Sequence, residues 1–178
     1  RTVAEQGLEG VKEFRVSVNE PIRPMLAERL SSPEEILEKL GGKCMAEYKY
    51  DGERIQVHKS GVDVKLFSRR LEDITSQYPD VCELVRKNLE AKEAIIEGEC
   101  VALEPDTGEF KPFQELMHRR RKHGVEEALK KYPVGLYVFD ALYVDGKDLT
   151  TTPYLERRKA LEKITDQGDR IKVAEALV

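Results

Sequence analysis

An α+β fold, with antiparallel sheets and flanking helices, is predicted by three observations. Several short runs alternate apolar and polar residues at strand period. Two of these runs meet at the hairpin signal Ser60-Gly61. The helical segments are scattered among the strands and do not follow a βαβ repeat. At 178 residues the chain is long enough for a sizeable core, and its 40% hydrophobic and 36% charged residues are those of a soluble globular protein. No apolar run approaches a membrane span and no signal peptide is visible. The formal charge of −4 argues against a uniformly basic nucleic-acid binder but leaves local stripes open.

In chain order, Phe14–Val18 alternates like a short strand, and Asn19-Glu20-Pro21 breaks it. Pro21-Ile22-Arg23-Pro24 is an extended connector, because proline biases the preceding residue away from helix. Ser32 caps a helix with Pro33 at its first position and Glu35 completing a capping box. Ile36, Leu37 and Leu40 are its apolar face, and Gly41-Gly42 stops it. Cys44–His58 follows as a strand pattern broken at Asp51-Gly52, with Glu47, Lys49 and Asp51 on one side and Tyr48 and Tyr50 on the other. Arg54–His58 and Val62–Phe67 form the hairpin, and Ser68–Ser76 is a polar loop. A helix from Pro79 to Glu90 buries Val81, Leu84, Val85 and Leu89. Ile95–Leu103 is a strand with Glu97 and Glu99 on one face. Pro112–Lys122 reads as a helix with Phe113, Leu116 and Met117 inward and the basic run Arg119–Lys122 outward. A short helix, the apolar strand Val134–Val144, a helix from Thr152-Pro153 to Ile164 and a strand near Ile171–Val173 complete the chain.

The chemistry centres on Lys49, between carboxylates on a segment ended by glycine. A lysine amine attacks only when unprotonated, which requires desolvation or nearby cations. Arg54 and Arg69 supply such charge or hold phosphates through their fork geometry. On an unbroken strand Arg54 lies on the opposite face from Lys49, so Asp51-Gly52 must be a turn or bulge if the two share a pocket. Glu99 suits ribose hydroxyls or a hard cation, although a strand carboxylate is more often solvated. Phe139 suits stacking on a base, although in an apolar strand it is more often core. Arg119–Lys122 is either a solvated helix face or a phosphate-binding stripe. Cys44, Cys82 and Cys100 have no CxxC pairing and are expected as free thiols in a reducing compartment. His58, His118 and His123 form no metal-binding pattern. Abundant Glu, Lys and Arg with few Asn is a thermophile-like composition.

Four ordered motifs then resemble one family, the ATP-dependent DNA ligases of the lysine nucleotidyltransferase superfamily, and the archaeal replicative ligases most of all. EYKYDGER at 47–54 is similar to the motif of the adenylated lysine, and FSRRLEDIT at 67–75 to the next. IIEGECVAL at 95–103 and LYVFDALYVDG at 136–146 resemble the two that follow. The resemblance covers about Pro21 to Ile164 and implies an ATP-grasp-like adenylation domain over 23–178. Residues 1–22 would be the end of a preceding DNA-binding domain with its linker. Two later family motifs and an OB-fold domain are not in this sequence, so the resemblance implies an adenylation domain incomplete at its C-terminus and not competent to seal nicks alone.

By family position Lys49 would be the nucleophile that takes AMP from ATP, and Glu47 would contact the adenine edge. Arg54 and Arg69 would contact the sugar and phosphates, Glu99 the ribose and a metal, and Phe139 would stack on adenine. Asp51 would support the pocket. Mg²⁺ is the implied metal, nicked duplex DNA the implied substrate in replication, repair and recombination, and a sliding clamp a partner reached through regions outside this chain. The implied location is cytoplasmic, on the nucleoid in an archaeon. RNA ligases and mRNA-capping guanylyltransferases share the lysine chemistry and are the nearest alternative. A non-catalytic nucleic-acid-binding module with a vestigial pocket is the alternative from another class.

Overall fold

The computed structural model describes residues 15–120 and 125–177. Helix α1 (Pro33–Lys39) and a short strand β1 (Ala46–Glu47) lead into the hairpin β2 (Glu53–Ser60) and β3 (Asp63–Ser68). Helix α2 (Pro79–Asn88), strand β4 (Glu93–Ala102), a 3₁₀-helix (Phe113–Arg120) and α3 (Val125–Lys131) follow. Strands β5 (Val134–Val144) and β6 (Lys147–Asp148), helix α4 (Tyr154–Ile164), β7 (Ile171–Val173) and β8 (Ala176–Leu177) complete the described chain. The main sheet runs β3-β2-β4-β5-β6 with antiparallel neighbours, and β7 adds to β5. The small pair β1–β8 is separate.

Strand parity gives the main sheet two unlike faces. Ile55 and Val57 of β2, Ala94, Ile96 and Cys100 of β4, and Leu136 and Val138 of β5 belong to the buried core. Val81 and Val85 of α2 and Leu161 and Ile164 of α4 join the same cluster. Each such aliphatic side chain contributes about 1.5–3 kcal/mol on burial, so this face holds the fold. The opposite face carries the intervening residues: Arg54, Gln56 and His58 on β2, beside Glu99, Glu97 and Ile95 on β4. Part of it is covered by the connector. The Asn19 amide donates to His58 Nδ1 at 2.9 Å and the Ile22 amide to Gln56 Oε1 at 2.8 Å.

Several sequence expectations are corrected. Phe14 lies outside the described residues, and Arg15–Val18 form no strand; the chain is tied to β2 just after them, where the Asn19 and Ile22 amides donate to side chains rather than to a ladder. Tyr48–Asp51 likewise pair in no sheet, so the alternation there is not a continuous strand. α1 starts as expected, with Ser32 Oγ accepting from the Glu35 amide at 3.2 Å. Its apolar face is not buried, however: Ile36, Leu37 and Leu40 are 36%, 40% and 58% exposed. β7 runs parallel to β5, unlike its neighbours.

The basic run at 119–122 changes most. At three residues per turn, a 3₁₀-helix aligns Phe113, Leu116 and Arg119 on one side and turns Met117 outward. Met117 is accordingly 45% exposed, whereas Arg119 is 2% exposed. Arg119 Nη2 donates to Asp80 Oδ2 at 2.8 Å, and its guanidinium sits 5.1 Å from the Tyr78 ring centre. Arg119 therefore belongs to neither a solvated face nor a phosphate stripe. The Arg120 side chain, Arg121 and Lys122 lie outside the described residues.

Candidate active site

The lysine segment is placed by contacts at both ends. Ala46 and Glu47 pair with Leu177 and Ala176, and the Tyr48 amide donates to the Glu175 carbonyl at 3.4 Å. Tyr50 stacks on Tyr137 of β5, with ring centres 4.5 Å apart. The chain then bends at Asp51-Gly52 before β2 begins. That bend resolves the parity problem, because Lys49 and Arg54 line the same cavity. Glycine is required there by space. A Cβ on Gly52 would overlap the Cys100 carbonyl oxygen and lie 3.0 Å from Glu99 Cγ.

The cavity has a volume of about 890 Å³, and Glu47, Lys49, Arg54, Arg69, Glu99 and Phe139 all line it. These six come from the β1 segment, β2, the loop after β3, β4 and β5. Asp51 does not line it. Its carboxylate instead accepts from the Phe113 amide at 3.2 Å and so holds an apolar wall, since Phe113 does line the cavity.

Phe139 reaches the cavity through an irregularity in β5. Glu97 pairs with Asp140 and Gly98 with Val138, so Phe139 is an extra residue, a β-bulge. A bulge re-aims side chains, and here the Phe139 ring faces the Arg54 guanidinium at 5.2 Å. The neighbouring Asp140 is clamped by Arg157 at 2.7 and 3.0 Å, which fixes the bulge from behind.

The loop after β3 presents Arg69 through a tight turn. Ser68 Oγ accepts from the amides of Arg70 and Glu72, each at 3.3 Å, and Leu71 adopts φ 66°. Arg70 lines the cavity beside Arg69. Glu47 is held from α4: the Tyr154 hydroxyl and Arg158 Nη1 both donate to its Oε1, each at 2.6 Å. Among the described residues no donor is seen on Oε2 of the same carboxylate.

Glu99 is the most perturbed acid of the cavity. Burial pushes its carboxyl up from 4.5 to about 7, against the pull of Lys49, Arg54 and the Gly52 amide, which donates to it. Glu53, itself 8% exposed and accepting from the Tyr78 hydroxyl at 2.6 Å, adds to the rise by repulsion. Among the described residues no group of three or more His, Cys, Asp or Glu gathers into a metal cage. Glu99 beside the cationic wall suits instead a Mg²⁺ ion held by one or two carboxylates plus substrate phosphates.

Sequence reasoning missed the residues behind these. Gln56, Tyr154 and the Arg157–Arg158 pair had no motif to mark them, whereas Asp140 lay within the motif at 136–146 without a role and Glu97 was visible as the face-mate of Glu99. Asp140 shares the parity of the core residues Leu136 and Val138, and Arg157 and Arg158 fall on the side of α4 that carries Leu161 and Ile164. Their signal was therefore polarity at an inward position. Gln56 alternates with Ile55 and Val57 and carried no such signal.

The sheet domain thus brings Lys49, Arg54, Arg69, Glu47, Glu99 and Phe139 to one open cavity. The chain belongs to the ATP dependent DNA ligase domain family, whose model matches residues 24–178. It is 62% identical over 95% of its length to DNA ligase 2 of Thermofilum pendens, covering 28% of that protein. It is 56% identical over its full length to a DNA ligase of Caldivirga maquilingensis, covering 30%. Among solved structures it resembles the ligase domain from M. tuberculosis LigD, at 28% identity and TM-score 0.55 over 75% of this chain and 40% of that one. A mycobacterial DNA ligase D complexed with ATP and MES matches with 28% identity and TM-score 0.53, again over 75% and 40%. The chain thus spans under a third of the length of these curated relatives.

Proposed function

We propose that this chain is the lysine-bearing part of an adenylation domain in an ATP-dependent DNA ligase, with residue 23 as its start. One observation carries the proposal: Lys49 shares a single cavity with Glu47, Arg54, Arg69, Glu99 and Phe139, in a chain of this family. Phe139 offers a stacking surface for the adenine ring, and the free Glu47 oxygen accepts from its amino edge. Glu99, which lines the same cavity, bonds the ribose hydroxyls. Arg54 and Arg69, which line the same cavity as Lys49, hold the phosphates.

The unprotonated Lys49 Nζ attacks the α-phosphorus of ATP. The N–P bond forms as the bond to pyrophosphate breaks, leaving AMP on the lysine. AMP then passes to the 5′-phosphate of a DNA nick, and the 3′-hydroxyl displaces it to seal the strand. Mg²⁺ held by Glu99 and the phosphates would offset charge during the first transfer. This segment alone is not expected to seal nicks, and a sliding clamp would bind through other regions of the protein. The free thiols of Cys44, Cys82 and Cys100 support a reducing cytoplasmic setting. Among the described residues no helix is long and apolar enough to cross a membrane.

Incubation of the complete protein with ATP or GTP, followed by intact-mass measurement, tests this. One added AMP is expected, absent in Lys49→Ala. An adduct with GTP but not ATP would overturn the ligase assignment in favour of a guanylyltransferase. An adduct that survives Lys49→Ala would move the nucleophile elsewhere.

A further inference from the structure

The sheet face that carries Arg54 and Glu99 is shared between the cavity and the connector, and two polar residues stand on the border. Gln56 and Glu97 are each 3% exposed and face each other directly across β2 and β4. A buried glutamate is tolerated only where partners replace its water, and Glu97 has two. Arg54 Nη2 donates to its Oε2 at 2.5 Å, and Gln56 Nε2 to its Oε1 at 3.2 Å.

Gln56 uses all the bonding capacity of its amide. Nε2 donates to Glu97 and to the Ile22 carbonyl, the latter at 2.9 Å. Oε1 accepts from the Ile22 amide at 2.8 Å and from His58 Nε2 at 2.9 Å. His58 Nδ1 accepts from the Asn19 amide, so the proton sits on Nε2 and the chain of donors has one direction. Flipping the Gln56 amide would set its NH₂ against the Ile22 and His58 donors, so the network admits one arrangement. A narrow crevice lined by Ile22, Pro24, Arg54, Gln56, Arg69 and Glu97 runs along the same border.

We infer that Gln56 and Glu97 are positioning residues for Arg54, and that through them the docked connector Asn19–Ile22 helps set the cationic wall of the pocket. Neither touches the proposed nucleotide. Glu97 fixes one end of the guanidinium that faces Phe139, and Gln56 fixes Glu97 against the connector backbone. With the connector undocked, Gln56 loses two of its partners and Glu97 loses a fixed donor, so Arg54 gains freedom at the cavity. Misplacing a phosphate-holding group by about 1 Å is enough to lower a transfer rate by tenfold or more.

This rests on the adenylation proposed above, and the test separates the two. Self-adenylation by ATP is measured in the complete protein as kcat/KM for the unmodified enzyme, Gln56→Leu, Glu97→Gln, Ile22→Pro and Arg54→Ala. Gln56→Leu, Glu97→Gln and Ile22→Pro are measured again in the Arg54→Ala background. Each of the three should lower kcat/KM, by about tenfold for the two side chains and about threefold for Ile22→Pro, which removes the amide donor and leaves the carbonyl acceptor. In the Arg54→Ala background each effect should shrink to less than twofold, the mark of action through Arg54. Equal effects in both backgrounds, or no effect on the unmodified background, would overturn the inference while leaving lysine adenylation intact. No adenylation in the unmodified protein would overturn both. If Gln56→Leu does not fold, Gln56→Asn keeps the amide but is too short to span Ile22 and Glu97, and the same coupling is expected of it.

Discussion

Replacing Gly52 by alanine puts the bend that joins Lys49 to Arg54 under a measurable load. The added methyl carbon would overlap the Cys100 carbonyl oxygen and lie 2.9 Å from the carbonyl carbon and 3.0 Å from Glu99 Cγ. Comfortable carbon–carbon contact lies near 3.5–4.0 Å, so the bend must back away from β4 by roughly 0.5–1 Å. The opposing atoms are strand backbone, which cannot swing aside as a side-chain tip can. Overpacking of this kind costs about 1–3 kcal/mol, a drop of roughly 2–12 °C in Tm for a domain of this size. The catalytic cost should be larger. The displaced bend carries Lys49 on one side and the amide that bonds Glu99 on the other, and a 1 Å misplacement costs about a hundredfold in rate. Thermal unfolding together with single-turnover adenylation measures both. An alanine variant with unchanged Tm and an unchanged rate of AMP transfer would refute the steric account of this glycine.

Three further outcomes are expected. Glu99 has its proton affinity raised in the folded state, from 4.5 to about 7, so the native protein binds the extra proton and loses stability as pH climbs between those values, with no further loss above. The gap corresponds to about 3 kcal/mol at a dry site, which solvent in the open cavity cuts to on the order of 1–2 kcal/mol. Glu99→Gln should flatten that slope in denaturant titrations run across this pH range; an unchanged slope would mean the carboxyl is not perturbed. Arg119→Ala strands Asp80, whose next ion pair is Arg170 at 3.9 Å, and should lower the unfolding free energy by about 3 kcal/mol. The salt dependence of DNA binding by the complete protein should not move, and a flatter slope would restore a DNA-backbone role. Phe139→Ala should weaken nucleotide binding by about 1–3 kcal/mol in calorimetry, with Phe139→Tyr near the unmodified value; equal losses in both would argue against stacking.

Much of the pocket was legible because its residues lie within short ordered motifs. Arg54 and Glu99 follow from local strand parity and Arg69 from a turn, while Lys49 was legible from its motif although the strand expected there does not form. Val134–Val144 was legible to the residue as a strand, but the bulge that turns Phe139 to the cavity was not, since a period-2 pattern carries no mark of one extra residue. The segment at Phe113–Arg120 shows a different limit. Its composition suits an α-helix, yet winding at three residues per turn exchanges Met117 for Arg119 at the buried position. α1 fails in the opposite sense: its apolar stripe is real, but amphipathicity names a face and not the partner that covers it. The connector's extended form was legible from its prolines, but its docking was not, because it is secured by side chains of β2.

The pairing of β1 with β8 has a consequence for the order in which the protein acquires its reactive centre. The hairpin β2–β3 joins neighbours in sequence and can close as soon as both strands exist. The segment bearing Lys49 waits for Ala176 and Leu177, at the far end of the described chain, and closing so large a loop is slow. On a ribosome the scaffold can therefore be assembled while the lysine is still unpinned. In the folded chain the same two short strands can part without exposing any of the sheet's core. Amides of Glu47 and Tyr48 should then exchange with solvent well ahead of those in β2 and β4, so that the most reactive residue sits on the first part of the fold to let go.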